Sequence, residues 1–202
     1  MSTRRKYNSS LRESQAAETR SKIMASARKL LARDGFDGAT IAAIAKDAEV
    51  SAQTIYSVFG SKAAIVAGMM AYLESMARES EFVERLEHEP NACAQLRIFT
   101  GWVKHFFDEG ADIISVVLQS PNQPEFADIR QKGDERRLFG CKMLTRQWDE
   151  AGELRMDADE AANSLWLASS FEVYQQGVSN LGWDSEKYEL WLYETTERLL
   201  FR

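Results

Sequence analysis

An all-α fold of about nine helices follows from three observations on the 202-residue sequence. Apolar residues recur at helical spacing almost throughout, no stretch of any length alternates as a strand would, and Gly, Asp and Ser fall where helices need caps. Ile23, Ala27, Leu30 and Leu31 stripe a first helix that starts near Ala17. Asp34-Gly35 ends it, glycine supplying the left-handed residue a helix terminus favours. Asp37-Gly38 is a turn, and Thr40 is suited to cap a short second helix carrying Ile41, Ile44, Ala45 and Ala48. Ser51 opens a third helix through Val58, Gly60-Ser61 interrupts the chain, and a fourth helix runs from Lys62 to about Arg78. Further on, residues 91–110 read as an aromatic-rich helix ended by Gly110, and 111–120 as a short apolar helix stopped by Pro121. Residues 124–152 form a long amphipathic helix, and 157–180 and 184–202 are the last two.

The bulk composition bounds the function. At 45% hydrophobic and 28% charged residues, the chain is globular and large enough to bury a core without staples. No apolar run approaches the roughly eighteen residues of a membrane span, and the opening MSTRRKYNSSLRESQ lacks the apolar stretch of a secretory signal. Cys93 and Cys141 stand alone with no CxxC, as reduced thiols of a cytoplasmic protein would. No His/Cys/carboxylate cluster has metal-ligand spacing, and no nucleophile motif or Gly-rich phosphate loop occurs. The expectation is therefore no catalytic residue, no metal, no cofactor and no membrane partner. Charge is unevenly spread: residues 1–62 hold 11 Lys and Arg against 6 Asp and Glu, and residues 63–202 hold 14 against 25. A basic N-terminal part on an acidic body suggests a polyanionic partner for the first part only. Three segments follow: a flexible basic arm, 1–16; a candidate polyanion-binding segment, 17–62; and an acidic remainder, 63–202.

Residues 40–59 hold the pattern that suggests DNA. Two short helices meet at a tight connection, and the first carries the small residues Ala42, Ala43, Ala45 and Ala48, which permit a close crossing. The second opens with Ser51, Ala52, Gln53 and Thr54, short polar groups at a helix N-terminus, with Ser57 one turn on. Gln can pair with adenine through two hydrogen bonds, and Thr can meet thymine through its methyl. Ile55 and Phe59, four apart, face inward. Tyr56 and Lys62 then flank the reading helix, where a hydroxyl and an ammonium can reach phosphates, with Thr40 at the start of the supporting helix.

The segment TRSKIMASARKLLARDGFDGATIAAIAKDAEVSAQTIYSVFGSK resembles the DNA-binding domain of TetR/AcrR-type transcriptional regulators. The resemblance rests on Thr19-Arg20, Gly35-Phe36, Thr40, Ile44-Ala45, Val50-Ser51, Ile55-Tyr56, Phe59 and Ser61-Lys62 taken together. It implies a homodimer reading a palindromic operator on double-stranded DNA, most often as a repressor, released when a small-molecule effector of unknown identity enters the C-terminal domain. The alternative is a dimeric regulator without an effector, its C-terminal domain serving as a protein-interaction platform. Against the family pattern, Glu49 stands where Gly is usual and must turn left-handed or alter the turn. Val58 replaces a phosphate-contacting side chain, and Ala63-Ala64 removes half of a capping box. Arg4, Arg5, Lys6 and Arg12 are expected to compensate by reaching DNA outside the motif.

In the second domain, Trp102, His105, Phe106, Met143 and Trp166 are the candidate walls of an effector pocket, aromatic with one polar group. Leu165 and Ala168 on the penultimate helix, with Trp191, Leu192, Thr195 and Leu199 on the last, are the candidate dimer contacts, forming a four-helix interface.

Overall fold

The computed structural model describes residues 3–78 and 81–202, with side chains from Glu13 onward except those of Arg78 and Val83. Ten α-helices occur among the described residues: α1 (Thr3–Gly38), α2 (Ile41–Asp47), α3 (Ala52–Phe59), α4 (Lys62–Arg78), α5 (Glu81–His88), α6 (Ala92–Leu118), α7 (Pro124–Glu150), α8 (Ala158–Ala168), α9 (Phe171–Gln175) and α10 (Ser185–Leu200). A π-helical turn, Gln176–Asn180, follows α9, and the one extended pairing among the described residues is an isolated bridge between Leu154 and Phe201.

The chain divides into two compact units: Met1–Ala71 with Asp112–Ala127, and Tyr72–Ala111 with Asp128–Arg202. The first therefore extends past the expected boundary at Lys62. Ile65, Val66 and Met69 of α4 are buried, as are Ile113, Val117 and Phe126 of the later segment. These join Ile23, Leu31, Ile44 and Ile55 as core residues of the first unit. Phe36 meets Phe126 edge-on at 5.0 Å, and Arg28 holds Asp112 through two hydrogen bonds of 2.7 and 2.8 Å. No local signal on residues 112–127 announces this partnership, because it is a long-range packing choice.

Four expectations about elements change. The helix placed near Ala17 begins at Thr3, so the arm expected to be flexible is helical along its backbone from that residue. Residues 3–16 contain no Gly or Pro, and lengthening an existing helix requires no new nucleus. The side chains of Arg4, Arg5, Lys6 and Arg12 lie outside the described residues. Gly110 does not end a helix: α6 passes through it to Leu118, since one interior glycine costs a helix only about 1 kcal/mol. Residues 157–180 are not one helix, because the Ser169–Ser170 step interrupts it and Ser170 caps α9 by accepting from the Val173 amide at 3.3 Å. Finally, α5 is a separate element that the sequence pattern did not mark.

In the second unit, Leu96, Val103 and Phe107 of α6 are buried with Cys141, Leu144 and Trp148 of α7, Ala161 and Leu165 of α8, and Tyr188, Leu192 and Leu200 of α10. Trp148 donates its indole N–H to Gln95 Oε1, and Gln95 Nε2 donates to the Glu89 carbonyl, so these buried polar groups are satisfied. The C-terminus is tied down by Arg155 N–H on the Leu200 carbonyl and Arg202 N–H on the Glu153 carbonyl. No single helix among the described residues is long and apolar enough to cross a membrane; α3 and the following α4 pass on composition only as a pair bent by 55°.

Candidate nucleic-acid interface

The motif is built by caps. Thr40 Oγ1 accepts from the Ala43 amide at 3.1 Å and starts α2. At the other end the Val50 amide reaches the Ala45 carbonyl at 3.0 Å and the Glu49 amide reaches Lys46 at 3.4 Å. This is the Schellman pattern, with Glu49 in the left-handed position at φ 56°. Of the two conformations open to Glu49, the chain takes the left-handed one. Ser51 then caps α3, accepting from the Thr54 amide at 3.0 Å while its hydroxyl meets the Thr54 hydroxyl at 2.8 Å. Gly60, at φ 82°, closes α3, and Ser61 caps α4 by accepting from Ala64 at 3.0 Å. No carboxylate follows to return the bond, as Ala63-Ala64 implied.

Burial sorts α3 by direction. Ile55 is fully buried, Val58 and Phe59 are half-buried, and Ala52, Gln53, Tyr56 and Ser57 are exposed, Tyr56 by 51%. The exposed four occupy one side of α3 at its N-terminal and middle turns, the geometry a groove-reading helix requires. Ser51 and Thr54 differ from expectation in one respect: their hydroxyls are engaged with each other and with the cap, and Thr54 is half-buried.

Lys62 is the clear correction. Its ammonium, expected on a phosphate, donates inward to the Phe36 carbonyl and, at 2.6 Å, to the Ala39 carbonyl. It lies 4.3 Å above the Phe36 ring, and burial lowers its pKa. Carbonyls left open after α1 breaks at Gly35 need donors, and a long side chain at the start of α4 supplies them. Arg20, quoted in the motif but not assigned a task, packs its guanidinium 4.2 Å from the Phe59 ring centre and lies against Gly68, where an added Cβ would meet Nη2 at 3.1 Å. The absence of a side chain at residue 68 was the sequence signal for that approach.

The pocket candidates of the second unit differ in exposure and contacts. Trp102 and Phe106 stack at 5.7 Å, and Trp102 donates its indole N–H to the Ala77 carbonyl. His105 is exposed beside Phe82, because Val103 and Phe107 take the inward positions of that helical turn. Met143 is 54% exposed for the same reason, with Cys141, Leu144 and Thr145 turned inward. Trp166 is half-buried beneath the Arg137 guanidinium. Among the dimer candidates, Leu165 and Leu192 are 0% exposed and belong to the core of their own chain, because they occupy the central inward positions of α8 and α10. Ala168, Trp191 and Thr195 are half-buried and Leu199 is exposed. Apolar surface that periodicity alone passed over includes Phe139, Leu167 and Leu190. Among the described residues no group of three His, Cys, Asp or Glu is placed to hold a metal.

The capped pair of short helices, with α3 presenting a polar row over a buried anchor, defines a helix-turn-helix DNA-binding protein. Residues 23–69 match the family described as bacterial regulatory proteins, tetR family, and this domain is of that type. Over 155 residues the chain is 22% identical to the HTH-type transcriptional regulator UidR of Escherichia coli K12, covering 77% of this chain and 79% of UidR. A transcriptional regulator from Saccharomonospora viridis, solved in complex with choline, superposes with a TM-score of 0.78 at 22% identity over 92% of this chain and 99% of that one. NalD, the secondary repressor of the MexAB-OprM multidrug efflux pump in Pseudomonas aeruginosa, superposes at 0.71 with 17% identity over 92% and 98%.

Proposed function

We propose that the chain is a repressor that binds a palindromic operator as a homodimer and leaves it when a small molecule enters the second domain. The carrying observation is the exposed row Ala52, Gln53, Tyr56 and Ser57 on a helix fixed by the Ser51 cap and by buried Ile55. In this reading Gln53 meets a base edge, the Tyr56 hydroxyl meets a phosphate, and Thr40, Ser51, Thr54 and Lys62 hold the reading helix in position. Residues 17–62 carry the DNA contacts in this reading, and effector and partner are held within 63–202. Exposed Leu167, Leu190 and Leu199, beside half-buried Ala168, Trp191 and Thr195, support association through α8 and α10. That NalD is a repressor and that the S. viridis regulator holds choline support the sign and the ligand response. Release is a population shift: a ligand that prefers the released state ten-fold contributes only about 1.4 kcal/mol per site, so strong derepression needs larger differential affinity.

Selection of bound fragments from genomic DNA tests the reading. A two-fold symmetric sequence should enrich, and Gln53→Ala should weaken binding to it by about 1–3 kcal/mol while relaxing one position in each half-site. Enrichment of no symmetric sequence, or a Gln53→Ala variant with unchanged selectivity, would remove the proposal.

A further inference from the structure

Helix α3 is eight residues long, and Ile55 is its one fully buried side chain. A single anchor lets a short helix pivot; fixing its direction takes a second point of contact along its axis. The Ser51 cap does not supply one, because it bonds only within the first turn of α3 itself. Phe59, half-buried at the C-terminal end, is that second point. Its ring meets the Arg20 guanidinium of α1 over Gly68 of α4. A Cβ placed on Gly68 would stand 3.5 Å from Phe59 Cε1 and 3.1 Å from Arg20 Nη2. The guanidinium carbon lies 4.2 Å from the centre of the Phe59 ring. Arg20 shares a face of α1 with buried Ile23 and Ala27, so its stem continues the apolar stripe while its planar head covers the ring. Three helices therefore meet at the end of α3 through Arg20, Phe59 and Gly68.

Other cations of α1 are held by acids: Lys22 by Glu18, Arg28 by Asp112, Lys29 by Asp47 and Arg33 by Asp34. Among the described residues no carboxylate takes Arg20, whose contacts are a ring face and the bare backbone at Gly68. An ion pair would draw the guanidinium off the ring, and an aliphatic side chain in its place would lack the attraction of a cation for the ring face. Lysine would bring the charge without the flat group that lies on the ring. A side chain at residue 68 would press on guanidinium and ring together.

We propose that Arg20 is a positioning residue for DNA reading: by holding Phe59 against α4 it fixes the direction of α3, and with it the base edges that Gln53 can reach. This rests on the reading of α3 as the DNA-contacting helix given above. A phosphate ligand in the same place would act differently, weakening binding to every sequence and lowering the salt slope. A positioning residue changes the preference among sequences instead.

The test compares the full chain with Arg20→Ala, Arg20→Lys, Phe59→Leu and the double variant Arg20→Ala/Phe59→Leu. Each is titrated with the duplex selected from genomic DNA and with a scrambled duplex of equal length. Arg20→Ala should lower the preference for the selected duplex about five-fold, as loss of a contact worth about 1 kcal/mol would. Its binding to the scrambled duplex and its salt slope should stay as in the parent. Arg20→Lys should lose nearly as much, and once Phe59 is Leu, Arg20→Ala should change nothing further. Hydrogen exchange of the DNA-free protein gives an independent reading: Arg20→Ala should speed exchange over residues 56–60 by a similar factor and leave 41–47 unchanged. An Arg20→Lys variant that binds like the parent, or an Arg20→Ala salt slope reduced by about one, makes Arg20 a phosphate ligand and overturns the proposal. Unchanged exchange over 56–60, or an Arg20→Ala effect that persists in full without the Phe59 ring, overturns it equally. A parent protein that prefers no duplex removes the DNA-reading function itself; faster exchange in Arg20→Ala then still supports the brace on α3, and unchanged exchange removes that too.

Discussion

Replacing Glu49 by Gly probes the one residue other than glycine that the described chain holds at positive φ. At φ 56° an L-residue carries a steric cost of about 1–2 kcal/mol from its Cβ against the following carbonyl. Glycine removes that cost but gives back roughly 0.5–1 kcal/mol through the greater freedom of the unfolded chain. The net expectation is a gain of about 0.5–1 kcal/mol, which for a chain of this size raises the unfolding temperature by about 1–4 °C. Glu49→Ala is the necessary control. It removes the same exposed carboxylate but keeps a Cβ, so its unfolding temperature should stay within about a degree of the parent's. Differential scanning calorimetry on the DNA-free protein compares all three. If Glu49→Gly melts at or below the parent while Glu49→Ala is unchanged, the Schellman turn does not store the strain assigned to it. Both variants lose a negative charge next to the reading helix, so both should bind DNA more tightly and to the same extent. A gain in the glycine variant alone would mean that the turn geometry, not the charge, sets the affinity.

The remaining predictions concern the lock, the core and the N-terminal segment. Lys62→Met should destabilise the fold by about 2 kcal/mol, because it leaves two carbonyls without donors, and should leave the salt dependence of DNA binding unchanged. A slope reduced by about one without loss of stability would return Lys62 to the phosphates. Burial pushes the Cys141 thiol up to about 12 from an ordinary value of 9.0. In that window the native state holds a proton the unfolded chain releases, so the contribution is full below 9.0 and is lost progressively toward about 12. Cys141→Ser should flatten this part of the stability–pH curve, and alkylation of native Cys141 near neutrality should require unfolding. Deleting residues 1–12 should lower DNA affinity and reduce the salt slope by about one for each basic residue that touches a phosphate; unchanged values would assign Arg4, Arg5, Lys6 and Arg12 no part in binding.

Much of the motif was legible because its determinants are local. Thr40 and Ser51 cap the helices they precede, and the inward face of α3 follows from the spacing of Ile55 and Phe59, since each depends on residues within one or two helical turns. The left-handed Glu49 was one of two conformations that the turn allowed. The misread residues share a different property. Lys62 could face solvent equally well by periodicity; the carbonyls that claimed it, on Phe36 and Ala39, lie more than twenty residues away along the chain. His105 and Met143 were chosen for their chemistry, whereas their exposure depends on which face of α6 and α7 the rest of the unit covers. Leu165 and Leu192 looked like interface residues because an apolar stripe does not say whether its partner is the same chain or a second one.

The sequence by itself determined an all-α chain, the capped helices of the reading head and the family to which that head belongs, because helix periodicity, caps and the Ser51–Lys62 motif are properties of neighbouring residues. Tertiary structure alone decided that residues 112–127 complete the first unit and that Lys62 locks a loop. The physical reason is distance along the chain: hydrogen-bond satisfaction and burial are set by residues remote in sequence, which no local pattern encodes.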